Sequence, residues 1–184
     1  MKYIFIITIL FSKLFAGFQS DLQTLHKMYE NNNFNKACKF GTNKIVKYKK
    51  SEQFLSIYAF SCLKDDQIDK LARASALLKH SPQARANSVF FSTILLQKKL
   101  LLHAMIDGFK IKTLQLPSTE HILSKVFDLV MNENIDNYET AHELLDSKNH
   151  NEKYKLFVKK ENENKKIVIE HYLNNNLINT HQYW

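Results

Sequence analysis

The sequence predicts a mainly α-helical body followed by a small antiparallel β-meander near the C-terminal end. Two observations support this fold class. The 184 residues include only three glycines and two prolines, a composition that long helices tolerate and a glycine-rich β-sandwich does not. Between residues 20 and 131 apolar residues recur at spacings of three and four, whereas residues 153–184 are rich in aromatic and β-branched residues.

The first sixteen residues have the three parts of a secretory signal peptide. Lys2 supplies the positive charge, Tyr3–Phe11 is an unbroken apolar run, and Ala16 is a small residue suited to the position before cleavage. A membrane-spanning helix needs about 20 apolar residues, and Lys13 closes this run much earlier. We therefore expect an exported, periplasmic protein, with the exact cleavage site left open because Leu14 is larger than the usual residue there.

Cleavage of the signal peptide (residues 1–16) would leave a helical domain over residues 17–135 and a small β-rich subdomain over residues 136–184. The most apolar later stretch is Ser88–Ile106, but a Gln-Lys-Lys triplet interrupts it. This interruption indicates a core helix, so we expect no stable transmembrane segment after cleavage.

Four helices are expected in the first half of the body, each with an apolar stripe bounded by turn or capping residues. The first two, about Asp21–Glu30 and Phe34–Tyr48, flank an Asn-Asn-Asn turn. Ser51 is placed to cap the third helix. Asp65-Asp66 is expected to end the third helix and to begin the fourth, where carboxylates suit the helix N-terminus.

The fifth helix has the clearest signals. Ser81-Pro82 combines an N-cap serine with a proline at the first helical position, and Gly108 suits a left-handed C-cap. This helix is apolar nearly all round, which predicts the central and most buried position. Pro117-Ser118 is expected to open a sixth helix, and Phe109–Leu116 before it is a candidate edge strand.

Polar turns separate three runs of strand-forming residues at the spacing of an antiparallel meander. The runs are Lys153–Lys160, Lys165–Tyr172 and Leu177–Trp184. Residues 138–145 stay open between two assignments. Their alanine, glutamate and leucine content favours a helix, whereas their place before the meander favours a strand.

The two cysteines of the chain, Cys38 and Cys62, are able to pair in only one way. An exported chain with an even cysteine count is often disulfide-bonded. The bond would close a loop of about 25 residues and contribute roughly 3.5 kcal/mol. The alternative is two buried thiols that act as small apolar side chains, and the export signal favours the disulfide.

The formal charge is +8, and all but two of the 26 basic residues are lysines. Nucleic-acid sites favour clustered arginine with stacking aromatic residues, so we expect no nucleic-acid partner. The lysines are interpreted as a solvated surface, with a weak attraction to anionic envelope polymers or membrane surfaces.

No catalytic motif stands out in the sequence. Isolated glycines exclude a P-loop and a dinucleotide-binding loop, and neither cysteine has a local protease signature. We therefore expect no enzyme, no cofactor and no metal. The alternative is a small metal-dependent envelope enzyme that uses three histidines in or near the meander, namely His142, His171 and His181.

The first four helices resemble the hairpins of tetratricopeptide (TPR) repeats. In that pattern an aromatic residue precedes a short polar turn, and a second aromatic residue is followed three positions later by a small one. The residues that carry the resemblance are Leu25, Tyr29, Asn32-Asn33-Phe34 and Ala37, with a degenerate second copy in Tyr58, Ala59, Asp65-Asp66 and the helix from Ile68. The TPR tryptophan, the Gly-Tyr pair and the closing proline are absent, and the alternative is an irregular α-bundle.

TPR-like arrays usually bind partners in a concave groove. The resemblance therefore implies a non-catalytic adaptor or scaffold for envelope proteins, in a setting such as a flagellar motor or a secretion system. If the hairpins stack, a disulfide would join the first repeat to the second. The candidate partner contacts are aromatic: Tyr29, Phe34, Tyr58, Tyr183 and Trp184.

For the last two of these aromatic residues, packing onto their own domain is the favoured interpretation. A small periplasmic ligand-binding module, with a groove beside the fifth helix, is a further alternative to the adaptor.

Overall fold

A computed structural model describes residues 17–111, 116–133, 141–146 and 149–184 of the chain. The signal-peptide residues 1–16 lie outside this part. The helices are α1 (17–30), α2 (Phe34–Lys44), α3 (Glu52–Lys64), α4 (Leu71–Leu77), α5 (Pro82–Asp107) and α6 (Ile122–Asn132), with a 3-10 turn at Ile68–Lys70. The strands are β1 (His142–Leu145), β2 (Glu152–Glu161), β3 (Asn164–Leu173) and β4 (Asn176–Tyr183). Helices followed by a four-stranded antiparallel sheet are the mixed arrangement that the sequence predicts.

From α2 onward, each helix packs against the next one along the chain, and α3 also reaches α5. The predicted caps fix where two of these helices begin and where α5 ends. The Ser51 hydroxyl accepts the Phe54 N–H at 3.2 Å, and the Ser81 hydroxyl accepts the Ala84 N–H at 3.1 Å. Gly108 ends α5 with a left-handed φ of 69°, a conformation that costs glycine little.

The contact between α2 and α3 is unusually close because Gly41 has no side chain. A Cβ atom at Gly41 would lie 2.3 Å from the Cδ2 atom of Tyr58, which is buried against it. Cys38 and Cys62 are joined by a disulfide across the same contact, with their Cα atoms 4.7 Å apart. The pairing that we favoured is therefore present, and it ties α2 to α3.

Two helix boundaries differ from the prediction because tertiary contacts override the local pattern. The second helix ends at Lys44 instead of Tyr48, since the Tyr48 ring turns inward to pack 4.7 Å from Phe54 and 5.2 Å from Phe18. The sixth helix begins at Ile122 instead of Pro117-Ser118, since the His121 imidazole accepts the Leu123 N–H at 3.2 Å and caps the helix there.

The stretch between α3 and α4 also corrects a prediction. Asp65 caps the C-terminus of α3, and Asp66 follows in a left-handed conformation with a φ of 57°. Neither aspartate caps the next helix, because Gln67 precedes the short 3-10 turn without a side-chain hydrogen bond. The first helix was expected from about Asp21, but residues 17–20 are already helical.

The sheet runs in the order β1-β2-β3-β4, and every neighbouring pair is antiparallel. One face packs on the helices through Leu144, Tyr154, Leu156, Ile167, Ile169 and Tyr183, which share one hydrophobic core with the helical residues. The open assignment before the meander is a strand over His142–Leu145, while residues 138–140 lie outside the described part. Residues 109–111 of the candidate edge strand are not in a strand, and residues 112–115 lie outside the described part.

Helix α5 contacts α3, α4, α6, β2 and β3, which is the central position that its apolar sequence predicts. It is the single helix within the described ranges that is long and apolar enough to cross a membrane, by length and composition alone. Of its most apolar window, 44% is buried inside the protein.

Removal of the disulfide tests how far α2 depends on it. We expect the C38A/C62A double variant to lose about 3.5 kcal/mol of unfolding free energy, because the open chain gains loop entropy when it unfolds. Urea unfolding followed by circular dichroism measures this loss. Reductant should produce a similar loss in the wild type and none in the double variant. Equal urea midpoints for oxidised and reduced wild type would contradict the prediction.

Candidate functional site

The first, third and fifth helices together line one surface groove of about 470 Å³. We call it the α1–α3–α5 groove. Its lining comprises His26 and Tyr29 from α1, Glu52, Gln53, Ser56 and Ile57 from α3, and Ser81, Gln83, Ala84 and Asn87 at the start of α5. A second depression of about 600 Å³ runs along α1 and shares His26 and Gln53 with the groove. Together they form an elongated surface.

The spacing of residues in α3 explains why this helix opens one face to the groove. Phe54, Leu55 and Tyr58 point into the core and are buried, whereas Gln53 and Ile57 lie one turn apart on the other side. The face toward the groove therefore carries neutral polar groups and one partly buried apolar side chain.

Hydrogen bonds between side chains hold the floor of the groove. The Gln83 amide donates to the Asn87 carbonyl oxygen at 3.0 Å, and the Asn87 amide donates to the Ser56 hydroxyl at 3.0 Å. This chain of contacts joins α5 to α3. It leaves the carbonyl oxygen of Gln83 and the exposed amide of Gln53 to face solvent.

The Glu52 carboxylate at one end of the groove has a structural task. It accepts backbone N–H groups from Lys79 at 3.2 Å, His80 at 2.5 Å and Ser81 at 3.0 Å, and so fixes the turn before α5. Burial alone would raise the pKa of Glu52, but these hydrogen bonds lower it to about 2. The carboxylate is therefore ionised at any physiological pH and is committed to the backbone.

The aromatic candidates are not brought together in one site. Tyr29 lies in the groove, and its ring meets Phe34 edge to face at 5.4 Å, so the turn between α1 and α2 supports it. Tyr58 and Tyr183 are buried in the core. Trp184 is 54% exposed, and the Lys166 ammonium lies 5.0 Å from its ring centroid.

The three meander histidines lie on the face of the sheet that packs on the helices. His142 and His181 share a cross-strand row with Leu156 and Ile169, and His171 lies two residues after Ile169 on the same face of β3. Within the ranges that the structure describes, no group of three or more His, Cys, Asp or Glu side chains is placed to hold a metal ion. His171 stacks on Tyr154 with ring centroids 4.8 Å apart, a packing contact.

Sequence reasoning missed a cluster of charged side chains where the sheet meets the helices. The Lys98 ammonium is buried in α5, donates to the Asp69 carboxylate at 2.5 Å, and also donates to the main-chain oxygen of Trp184. The His181 imidazole lies 2.8 Å from the Asp66 carboxylate. The Gln-Lys-Lys triplet inside the apolar stretch of α5 was the one available signal, since a lysine buried there needs an acceptor.

The His121 imidazole that caps α6 is mostly buried. Burial lowers its pKa to about 4, although the nearby Asp66 carboxylate opposes this effect. Burial likewise lowers the pKa of His171. Both side chains are therefore neutral in the folded protein at neutral pH.

This neutral cap makes stability depend on pH. In the unfolded chain His121 has a pKa near 6.5, so below that pH the unfolded state binds a proton that the folded state does not. The stability that the neutral His121 cap contributes is fully present above about pH 6.5 and is lost as the pH falls toward 4. We expect the unfolding free energy to drop by about 2 kcal/mol between pH 7 and 4.5, measured by urea unfolding.

The His121→Asn variant is the matched control, because asparagine also caps helices but does not titrate. We expect this variant to lose the His121 part of that pH dependence and to keep the His171 part, with a folded circular dichroism spectrum. An unchanged pH slope in the variant would exclude His121 as the source.

Neither a family model, nor a curated protein, nor a solved structure matches this chain. What the protein does must therefore be inferred from its own residues: a groove across three helices, a disulfide that joins α2 to α3, and a sheet docked through buried charges.

Proposed function

We propose that this chain is an exported, non-catalytic adaptor whose α1–α3–α5 groove holds a segment of an envelope protein. One observation carries the proposal. Alternate helices of the chain line the groove, while α2 and α4 contribute no residue to it. Such alternation is what a stack of helical hairpins produces, because the first helices of successive hairpins share one side.

Contacts in the first hairpin support a degenerate TPR-like array. The Tyr29 and Phe34 rings touch across the turn, and Ala37 is fully buried where a small residue is needed. The pairs α1–α2, α3–α4 and α5–α6 would then be three successive hairpins. The contact of α3 with α5, two helices further along the chain, is also typical of such stacking.

The chemistry of the groove suits a polypeptide segment. Gln53 and Gln83 offer neutral donors and acceptors, and Tyr29 and Ile57 add apolar surface. The ionisable side chains of the lining already have partners: Glu52 binds the backbone, and His26 lies 3.1 Å from Glu30. A groove lined by amides and hydroxyls, with a carboxylate that is already bound to the backbone, matches a peptide with many backbone amides better than a phosphate or another small anion.

Export is part of the proposal, and the disulfide supports it. Disulfides persist in oxidising compartments such as the periplasm and are rare in the cytosol. The chain has one pair of cysteines, and both lie at the α2–α3 contact, where the bond joins α2 to α3, one of the helices that line the groove. This agrees with the signal-peptide pattern of residues 1–16.

A small ligand-binding module is the second candidate, favoured by the size of the depressions. Volumes of about 470 and 600 Å³ lie within the range of small-molecule pockets. The neutral lining would select an uncharged ligand, and the crosslinking experiment described next separates this candidate from the adaptor.

Site-specific photo-crosslinking tests the groove directly. A photoreactive residue at exposed Gln53 in the groove should yield, in intact cells, an adduct with one defined envelope protein. The same residue at Val89, which is 62% exposed on α5 and does not line the groove, is the control and should not yield that adduct. Mass spectrometry of the adducts identifies the partner.

A charge in the groove should weaken capture of the same partner. We expect Gln53→Arg to lower its recovery about 10-fold, because the added side chain occupies and charges a neutral groove, while Val89→Arg leaves recovery unchanged. If Gln53 captures no protein but a small uncharged molecule raises the melting temperature, the ligand-binding module replaces the adaptor.

Export predicts a processed N-terminus. We expect the tagged protein in the periplasmic fraction to begin at or near Gly17, as measured by N-terminal sequencing. The matched control is Ile7→Arg, which breaks the apolar run and should leave the full-length chain in the cytoplasm with reduced cysteines. A wild-type chain that stays unprocessed in the cytoplasm would contradict export.

A further inference from the structure

Residues 36–50 carry six lysines and no acidic residue. Three belong to α2, namely Lys36, Lys39 and Lys44, and three belong to the turns that follow, namely Lys47, Lys49 and Lys50. We call this surface the lysine face. Six like charges within fifteen residues repel one another, and a partner of opposite charge offsets that repulsion.

The lysine face points away from the core. Helix α2 buries Ala37, Cys38 and Gly41 against α3, so Lys36 and Lys39 lie on the opposite side and are exposed. Lys49 and Lys50 are exposed as well. These four side chains have no carboxylate within ion-pair distance anywhere in the part of the chain that the structure describes.

The other two lysines are anchored to the protein. Lys44 lies 2.8 Å and Lys47 3.3 Å from the Asp21 carboxylate of α1. Their ammonium groups also lie 5.1 Å from the Phe40 ring centroid and 4.8 Å from the Tyr48 ring centroid, respectively. The Phe40 and Tyr48 rings beside the lysine face are therefore already covered by lysine side chains.

An apolar side chain lies within the lysine face, between its two anchored lysines. Val46 follows α2 between Lys44 and Lys47 and is 60% exposed. An exposed apolar residue flanked by long cationic side chains is the arrangement that peripheral membrane surfaces use. The apolar group enters the headgroup region, while the lysine stems extend to place their ammonium groups beside phosphates.

We propose that the lysine face docks on an anionic phospholipid bilayer, with Val46 inserted between the headgroups. Residues 36–50 contain lysine without arginine, and lysine acts as a point charge and lacks the fork that reads nucleic acids. Nucleic-acid surfaces also use free aromatic rings for stacking, and the rings here are occupied. The lysine face shares no residue with the α1–α3–α5 groove, so both surfaces are open at once.

Vesicle co-sedimentation of the full-length protein tests the proposal. The vesicles contain phosphatidylcholine alone or with about 30% phosphatidylglycerol, and the readout is the ratio of the two partition coefficients. Residues 1–16, including Lys2 and Lys13, are the same in every variant, so the change in this ratio between wild type and variant isolates the lysine face. Each lysine near an anionic surface strengthens partitioning about 5-fold, so K36Q/K39Q/K50Q should lower the ratio about 100-fold.

The matched control is K64Q/K79Q/K99Q, which removes the same charge from three exposed lysines on other helices and loops. It should change the ratio by less than about 5-fold. The Val46→Ser variant keeps all lysines and should bind the anionic vesicles several-fold more weakly than the wild type.

Three results would overturn the proposal. Equal losses in the two triple variants would mean that net charge acts without a specific surface. A ratio near one for the wild type would show that anionic lipid is not recognised. Tight binding to a short DNA duplex, with no binding to the vesicles and with sensitivity to K36Q/K39Q/K50Q, would assign the lysine face to nucleic acid.

Discussion

The close packing of α2 on α3 is the constraint on which the two outward surfaces depend. The absent side chain of Gly41 admits the Tyr58 ring, and the Cys38–Cys62 disulfide fixes the same contact covalently. Because α2 and α4 both pack on α3, the face of α3 with Gln53 and Ile57 is left to border the groove. The same contact turns the lysines of α2 outward. One pair of helices therefore positions both the neutral groove and the charged face.

A second constraint joins the sheet to the helices. Lys98 is buried in α5, and a buried ammonium is tolerable only when its acceptors are in place. Those acceptors are the Asp69 carboxylate and the main-chain oxygen of Trp184, which lie far apart in the sequence. Loss of Asp69 would leave the charge without its carboxylate partner. The sheet thus contributes a polar contact as well as apolar side chains to the core.

Capping residues in the sequence predicted those helix ends that contacts within a few residues determine. Ser51, Ser81 and Gly108 end or begin helices through contacts within a few residues, and they were found where capping rules place them. The disulfide followed from the cysteine count. The early end of α2 depends on Tyr48, which packs on rings from two other elements, and no spacing rule contains that information.

The candidate site shows the same limit. The pairs Asp66–His181 and Lys98–Trp184 join residues 115 and 86 positions apart, so no motif reveals them. Sequence alone also makes Tyr58 and Tyr29 equal candidates for partner contact, although the structure buries Tyr58 and leaves Tyr29 half-buried.

The groove and the lysine face would respond differently to salt. Salt screens exposed charges but hardly affects neutral hydrogen bonds and apolar contacts. Because one rigid helix pair carries both, a partner in the groove would be held in a fixed orientation to whatever anionic surface the lysines contact.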